Sequence, residues 1–302
     1  MKLQLLIGVA AGALILPACQ ALAAEAAAAD VASVEELVVY GRGEARQVQT
    51  LQARELEIVT PGTSPIKAVE KLPGVNFQSA DAFGSYEWST RISIRGFNQN
   101  QLGFTLDGVP LGDMSYGNFN GLHISRAIAS EDIGQVELAQ GAGALETAST
   151  SNLGGTLKFI SRDPSMQMGA FVAATYGSDN TTRGVVRFES GELPGGGRGY
   201  ITYANQHSDK WKGDGKQKQQ QLDIKFVQPI GVATLTGFYD ASRRRENDYQ
   251  DLSLGMIDRL GYDWDNISGD WALAVRIADI GNNRGDTGAP PTNPAAGTVY
   301  PS

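Results

Sequence analysis

QQLDIKFV, residues Gln220 to Val227, sets Leu222, Ile224 and Phe226 in alternation with Gln221, Asp223 and Lys225. Successive side chains of an extended strand point to opposite faces, so this stretch reads as a strand with one apolar and one charged face. GVVRFES (Gly184 to Ser190) repeats the pattern, with Val186 and Phe188 set against Arg187 and Glu189. Two architectures accept such strands. In a soluble sandwich the apolar face meets a second sheet; in an outer-membrane barrel it meets lipid, and the polar face lines a wet lumen. Connection lengths separate the two. The link Gly191 to Gly199 and the turn Pro229 to Gly231 are compact. They alternate with the longer charged stretch Ser208 to Lys216, and with a segment opening Ser242-Arg243-Arg244-Arg245 that has no clear strand for about 25 residues. Trim turns alternating with long loops predict the barrel, with strands starting near Gly169, Gly184, Gly199, Lys218, Val232 and Trp271.

Upstream, Thr60 to Pro164 has a different texture. Ser64 stands at an N-cap position, Pro65 opens the helix, Ile66, Val69 and Leu72 share one face, and Pro73-Gly74 stops it. RISIR (Arg91 to Arg95) is a half-buried strand ended by Gly96. Phe104 to Leu106 runs into Asp107-Gly108, a hairpin signal, followed by Val109-Pro110. Ile133 to Ala139 and Thr156 to Ile160 are two further strands, the second entered through Gly154-Gly155. The expectation is an α+β domain of about 100 residues, a mixed sheet wrapped in loops, ahead of an antiparallel transmembrane β-barrel. Before it, Ala24 to Ser33 is nearly all alanine with two acids, and Leu37 to Tyr40 is a short run of β-formers bounded by Gly41 and Gly43. Lys2, the apolar run Leu3 to Leu16 and Ala21-Leu22-Ala23 read as a secretory signal peptide cleaved after Ala23. Leu16-Pro17-Ala18-Cys19 leaves a lipoprotein signal as the competing reading. The chain thus divides into a signal peptide (1–23), a flexible leader (24–59), the α+β domain (60–164) and barrel strands (165–302).

Taken in order, these stretches resemble the TonB-dependent outer-membrane receptor family. EELVVYGR (Glu35 to Arg42) is similar to a TonB box, carried here by Glu36, Leu37, Val38, Val39 and Tyr40. SPIKAVEKLPGV (Ser64 to Val75) resembles the first helix of the family's plug. ISIRGF (Ile92 to Phe97), with Arg95 and Gly96, and FTLDGVPL (Phe104 to Leu111), with Asp107 and Gly108, resemble the plug's most specific pair of elements. VELAQGAGAL (Val136 to Leu145) and SNLGGTLKFISRDP (Ser151 to Pro164) resemble its closing segments, with Glu137, Gly141, Gly154 and Gly155 at motif positions. The resemblance implies uptake across the outer membrane of a Gram-negative bacterium, powered through TonB with ExbB and ExbD. It implies a scarce ligand as cargo, of which ferric siderophores are the family's commonest. A segment such as Leu37 to Tyr40 suits this coupling, because an extended peptide adds to an exposed sheet edge. Many relatives carry a second plug arginine where this chain has Gln140, so the expected plug-to-barrel lock through Arg95 is partly neutral. Loops at the plug apex face the family's binding cavity. Tyr86 and Trp88, and Tyr116, Asn118 and Phe119, are therefore the expected ligand-facing residues, with packing against the barrel wall as the alternative role for their rings.

Composition narrows the rest. A net charge of -8 leaves no overall basic field for nucleic acid. One cysteine and two histidines, His123 and His207, offer neither a disulfide nor a metal or triad constellation, so no cofactor is expected. Gly141-Ala142-Gly143 opens like a dinucleotide fingerprint but puts Glu146 where the third glycine belongs, so an enzyme is not expected. Arg243 to Arg245 reads as a solvated loop or a lipopolysaccharide contact rather than a nucleic-acid site. A passive outer-membrane or secreted β-rich binding or adhesion module is the alternative function; it gives no reason for the LVVY leader or the IRG and DGVP pair. Plugged barrels of this kind use about 22 strands. The roughly 140 residues after Pro164 suffice for about six. The expectation is therefore a plug joined to the first part of a barrel, unable by itself to transport.

Overall fold

The computed structural model describes residues 48–114, 121–141, 149, 151–249, 252, 254–265 and 272. The expected signal peptide, Glu36 to Tyr40, Tyr116, Asn118, Phe119, Glu146 and the strand start at Trp271 lie outside the described residues.

The first part comprises β1 (Val48–Gln52), α1 (Ala53–Leu56), α2 (Pro65–Ala68), β2 (Val75–Gln78), β3 (Arg91–Ile94), β4 (Phe97–Asn98), β5 (Leu102–Leu106), β6 (Val109–Pro110), α3 (Ile124–Ala127), β7 (Ile133–Gln140) and β8 (Gly155–Ser161). The second part is β9 (Met168–Tyr176), β10 (Thr182–Ser190), β11 (Arg198–Asp209), β12 (Lys216–Ile230) and β13 (Ala233–Glu246), followed by α4 (Leu254–Leu260).

In the first part a five-stranded sheet runs β1-β7-β8-β5-β6, parallel only between β5 and β8, beside a three-stranded sheet β2-β3-β4. Its edge strand β1 lies upstream of Thr60, within the stretch read from sequence as flexible leader. Val48 to Gln52 lacks a clean apolar alternation because only Leu51 is buried. All five residues of β5 are buried, which explains why LGFTL shows no period-two pattern: both of its faces are covered. The core joins Ile66 of α2 and Val69 of the 3-10 turn that continues it (Val69–Lys71) to Ile92, Ile94, Phe104, Leu138 and Phe159. Pro65 occupies the first helical turn as expected, but Ser64 makes no side-chain cap, and its amide donates instead to the Phe83 carbonyl at 2.7 Å. Asp107 (φ +48°) and Gly108 (φ +81°) both take the left-handed region, as a two-residue hairpin turn demands. Gly155 (φ +138°) enters β8 where a Cβ would stand 2.4 Å from the Ala139 carbonyl oxygen.

β9 to β13 form one antiparallel meander in sequence order. Five of the six expected strands are present within two residues of their expected starts, the sixth lying outside the described residues, but two connections differ. Pro229 and Ile230 belong to β12, and Gly231-Val232 makes the turn. Ser242 to Arg245 lies in β13 rather than in a loop. Three consecutive arginines hide the alternation, since Arg244 points inward while Arg243 and Arg245 point outward. The burial pattern is the reverse of a water-soluble sheet. Arg187 is 3% exposed and Asp223 1%, whereas Val186 is 52% and Phe188 49% exposed. The polar face therefore does not line open water; it packs on the first part.

Candidate functional site

The contact between the two parts begins at the 3-10 turn Ser130–Asp132, immediately before β7. Small side chains allow close approach: Ala129 packs with Val185 of β10 and Ala204 of β11. Around this apolar point the contact is ionic. β10 carries Arg183 and Arg187 at inward, period-two positions. Arg183 grips Glu131 with two parallel bonds, Nε at 2.9 Å and Nη2 at 2.6 Å, and donates Nη1 to Gln206 at 2.9 Å. Arg187 donates Nη1 to Asp132 at 2.8 Å and to the Glu131 carbonyl at 3.0 Å, and Nε to Glu189 at 2.9 Å. Its guanidinium lies 4.9 Å from the Phe171 ring centroid. The Ala129 amide donates to Asp223 at 2.8 Å. Burial pushes the Asp132 carboxyl above its ordinary range, and the Arg187 guanidinium beside it pulls back. Desolvation of such buried pairs nearly cancels their attraction, so they add little net stability, while loss of either partner leaves a buried charge uncompensated.

Lower on the sheet, Lys225 donates to the Ser161 hydroxyl at 2.9 Å, and Ser161 in turn donates its hydroxyl to Asp107 of the hairpin turn and its amide to the same carboxylate at 2.9 Å. Toward the longer loops, Arg244 donates to the carbonyls of Ser85 (3.0 Å) and Ser125 (3.3 Å), and Gln219 donates to Ser125 at 2.6 Å. His123 is buried beneath them, its Nδ1 accepting the Ser125 amide at 3.2 Å. Burial and the nearby Arg244 and Arg126 charges push its ring down to about 3.

Of the expected site residues, Tyr86 is buried at this end, donating to Asp248 and meeting Tyr249 edge-on at 5.6 Å, with Trp211 stacked on Tyr249 at 5.9 Å. Trp88 is exposed, and its neighbour Glu87 pairs with Arg126 at 2.8 Å. Arg95 sits with φ +51° in the turn after β3 and is exposed, with no ion pair among the described residues; Gly96 follows at φ +86°. Gln140 is buried and donates to the Pro73 carbonyl at 2.7 Å, tying β7 to the segment that follows α2 and its 3-10 turn. Glu137 accepts from Gln135 at 2.7 Å. Gly141 donates its amide to the Gly154 carbonyl at 3.3 Å. Reasoning from sequence missed Glu131, Asp132, Arg183 and Arg244. The signal was present for one of them: Arg183 shares with Arg187 the parity opposite to Val186 and Phe188.

Among the described residues no group of His, Cys, Asp and Glu could hold a metal ion. No helix among them is long and apolar enough to cross a membrane, which says nothing about a β-barrel.

Residues 42–156 match the TonB-dependent receptor plug domain. Among solved structures, the chain is similar to the pyoverdine receptor FpvA of Pseudomonas aeruginosa bound to heterologous pyoverdines, at 21% identity and a TM-score of 0.53 over 67% of this chain and 26% of that one. The pyoverdine-bound receptor FpvA of strain PAO1 matches at 22% identity and 0.51, over 65% and 27%. The ferric enterobactin receptor PfeA of Pseudomonas aeruginosa, in complex with BCV-L6, matches at 14% and 0.51, over 73% and 37%. The chain thus spans between about a quarter and somewhat over a third of the length of these receptors. No curated protein matches it. Residues 42–156 thus carry a TonB-dependent receptor plug domain, a mixed α/β unit set against the polar face of a five-stranded antiparallel sheet consistent with the start of a barrel.

Proposed function

We propose that this chain supplies the leader, plug and first barrel strands of a TonB-dependent receptor for energised uptake across the Gram-negative outer membrane. The observation that carries the reading is the inverted sheet: an apolar outer face suited to lipid and a charged inner face bonded to the plug. The outer membrane has no ATP, so opening a sealed plug needs work delivered from elsewhere. Leu37 to Tyr40, ahead of β1, is the proposed handle, pairing with a strand of TonB, which acts with ExbB and ExbD. A pull on this leader reaches β1 first, and β1 is the edge strand of the plug sheet.

The proposed cargo is a ferric siderophore. Receptors for pyoverdine and enterobactin are among the similar structures, and Trp88 offers an exposed aromatic face near the clustered loops. The chain then acts as a binder and transporter without catalysis. Deleting Glu36 to Tyr40 in the receptor abolishes ferric-siderophore uptake while leaving outer-membrane insertion intact. Unchanged uptake in that deletion overturns the coupling. Trp88 fluorescence that stays flat across ferric catecholates and hydroxamates overturns the cargo.

A further inference from the structure

We propose that the plug is seated on the sheet by a proton, retained at neutral pH between the facing carboxyl groups of Asp132 and Asp223 and released when the two part. The inference rests on the contact described above and not on the cargo or on TonB. The strand register sets one inward row across all five strands: Phe171, Arg187, Thr202, Asp223 and Asp240. Asp132 of the plug comes down onto the middle of this row, where it meets Arg187, Thr202 and Asp223. Three carboxyl groups are thereby gathered around one guanidinium.

The carboxyl oxygens can be assigned one by one. Arg187 Nη1 donates to Asp132 Oδ1 at 2.8 Å, and the Ala129 amide donates to Asp223 Oδ2 at 2.8 Å. That leaves Asp132 Oδ2 and Asp223 Oδ1, both buried and both without a donor, beside an unpartnered Thr202 hydroxyl. Asp132 and Thr202 are 0% exposed and Asp223 1%, so bulk water does not reach them. Ionised carboxylates only accept, and two of them in contact cannot both stay charged. The Thr202 hydroxyl carries a single hydrogen, enough for one of the two oxygens; the other needs a hydrogen of its own. A proton on Asp223 Oδ1 meets that need. Asp223 then donates to Asp132, Thr202 donates to the same acceptor, and Arg187 keeps Asp132 the ionised member of the pair.

The surrounding charges leave this deficit in place. On β10, Glu189 takes Nε of Arg187, so that guanidinium already faces two acids, and Arg183 is engaged by Glu131. On β12, Lys225 is turned toward Ser161 and Asp163. Tyr200 of β11 and Asp107 of the hairpin turn complete the groups around the acids and bring no positive charge. Asp240, half-buried on β13, adds a further carboxylate directly across from Asp223. Among the described residues the acids form no group that could hold a metal ion, so a proton is the cation that fits. Burial, the largest influence on Asp132, holds its carboxyl above the ordinary range, in the same direction. A carboxyl held above its unfolded value contributes stability in acid and loses it as pH rises, so the seat tightens at low pH and loosens in base.

The test is infrared spectroscopy of the full chain in detergent, with its aspartate carboxyls isotope-labelled, read beside amide exchange at Arg162, whose acceptor is the Asp132 backbone carbonyl. Wild type is expected to show the carbonyl band of a protonated aspartate at neutral pH, and D223N to lack it. In D223N the new amide donates to Asp132 as the protonated acid does, so the plug stays seated and Arg162 exchange, corrected for its intrinsic rate, no longer varies with pH. In wild type that exchange accelerates by up to about tenfold per pH unit as the pair titrates, the slope of one linked proton. If D223N is unseated, D132N, which keeps a carbonyl for Arg187 and gains an amide for Asp223, is read in its place and is expected to lack the band. Absence of the band from wild type, its persistence in both variants, or equal pH slopes in wild type and D223N overturns the proposal. A band lost in D240N but kept in D223N moves the proton onto β13 and overturns the assignment to the plug contact.

Discussion

Replacing Arg187 with Met tests whether the ionic contact sets the position of the plug. The guanidinium serves three acceptors: the Asp132 carboxylate, the Glu131 carbonyl and Glu189. Asp132 is 0% exposed, so its charge has no route to water once the partner is gone. Breaking one side of a buried pair costs about 3–5 kcal/mol. An independent route agrees, because Asp132 can escape by taking a proton. Protonating a carboxyl of ordinary affinity, near 3.9, at pH 7 costs about 4 kcal/mol. The assay is native-state hydrogen exchange of the Ala129 and Arg162 amides, which donate to Asp223 and to the Asp132 carbonyl. A loss of about 4 kcal/mol of local stability accelerates exchange roughly a thousandfold. The sign of the pH dependence follows from the direction of the shift. A carboxyl held above its unfolded value contributes stability below that value and loses it as pH rises, so the R187M deficit shrinks toward pH 4 and is full at neutral pH. D132N/R187M, which removes both charges, should recover most of the loss. Acceleration under tenfold, or a double variant as labile as R187M, refutes the argument that Arg187 compensates a buried charge.

Three other outcomes follow from the same geometry. His123 is held neutral with its ring pushed down to about 3, so the unfolded chain binds the extra proton first. Plug stability is lost as pH falls from about 6.5 toward 3, by roughly 2 kcal/mol at pH 5, and chemical unfolding of H123Q should lack that component. Gly155→Ala puts a Cβ against the Ala139 carbonyl at a φ of +138° and should lower the unfolding free energy measured by denaturant titration by more than about 2 kcal/mol, whereas Gly169→Ala meets open space and should be nearly neutral. Phe188→Lys on the outer face should cost about 2–4 kcal/mol of stability in lipid, falling to near zero in water-exposed aggregates or a soluble form. Equal stability of F188K and wild type in bilayers would argue against a lipid-facing sheet.

Much of the fold was legible locally. Ile66, Val69 and Leu72 repeat at helical spacing, Asp107-Gly108 permits a turn that few other pairs allow, and Val186 and Phe188 alternate with charge; each pattern is set by neighbours a few residues away. β5 and the arginine run were less legible, for opposite reasons. LGFTL is covered on both faces and so has no alternation to read. Ser242 to Arg245 alternates in what it faces but not in polarity. Arg95 and Gln140 show the limit of motif reading: Arg95, the expected lock residue, makes no ion pair among the described residues, and Gln140 closes a backbone contact inside the plug.

By itself the amino-acid order determined an α/β part followed by antiparallel strands, the helix start at Pro65, the Asp107-Gly108 turn, and a sheet with one apolar and one charged face, because period and turn chemistry act over a few residues. Only the tertiary structure decided that the charged face is the buried one and that Glu131 and Asp132 meet Arg183 and Arg187 more than 50 residues away in sequence. Partner choice among charges depends on which faces are desolvated together, and no local pattern encodes that.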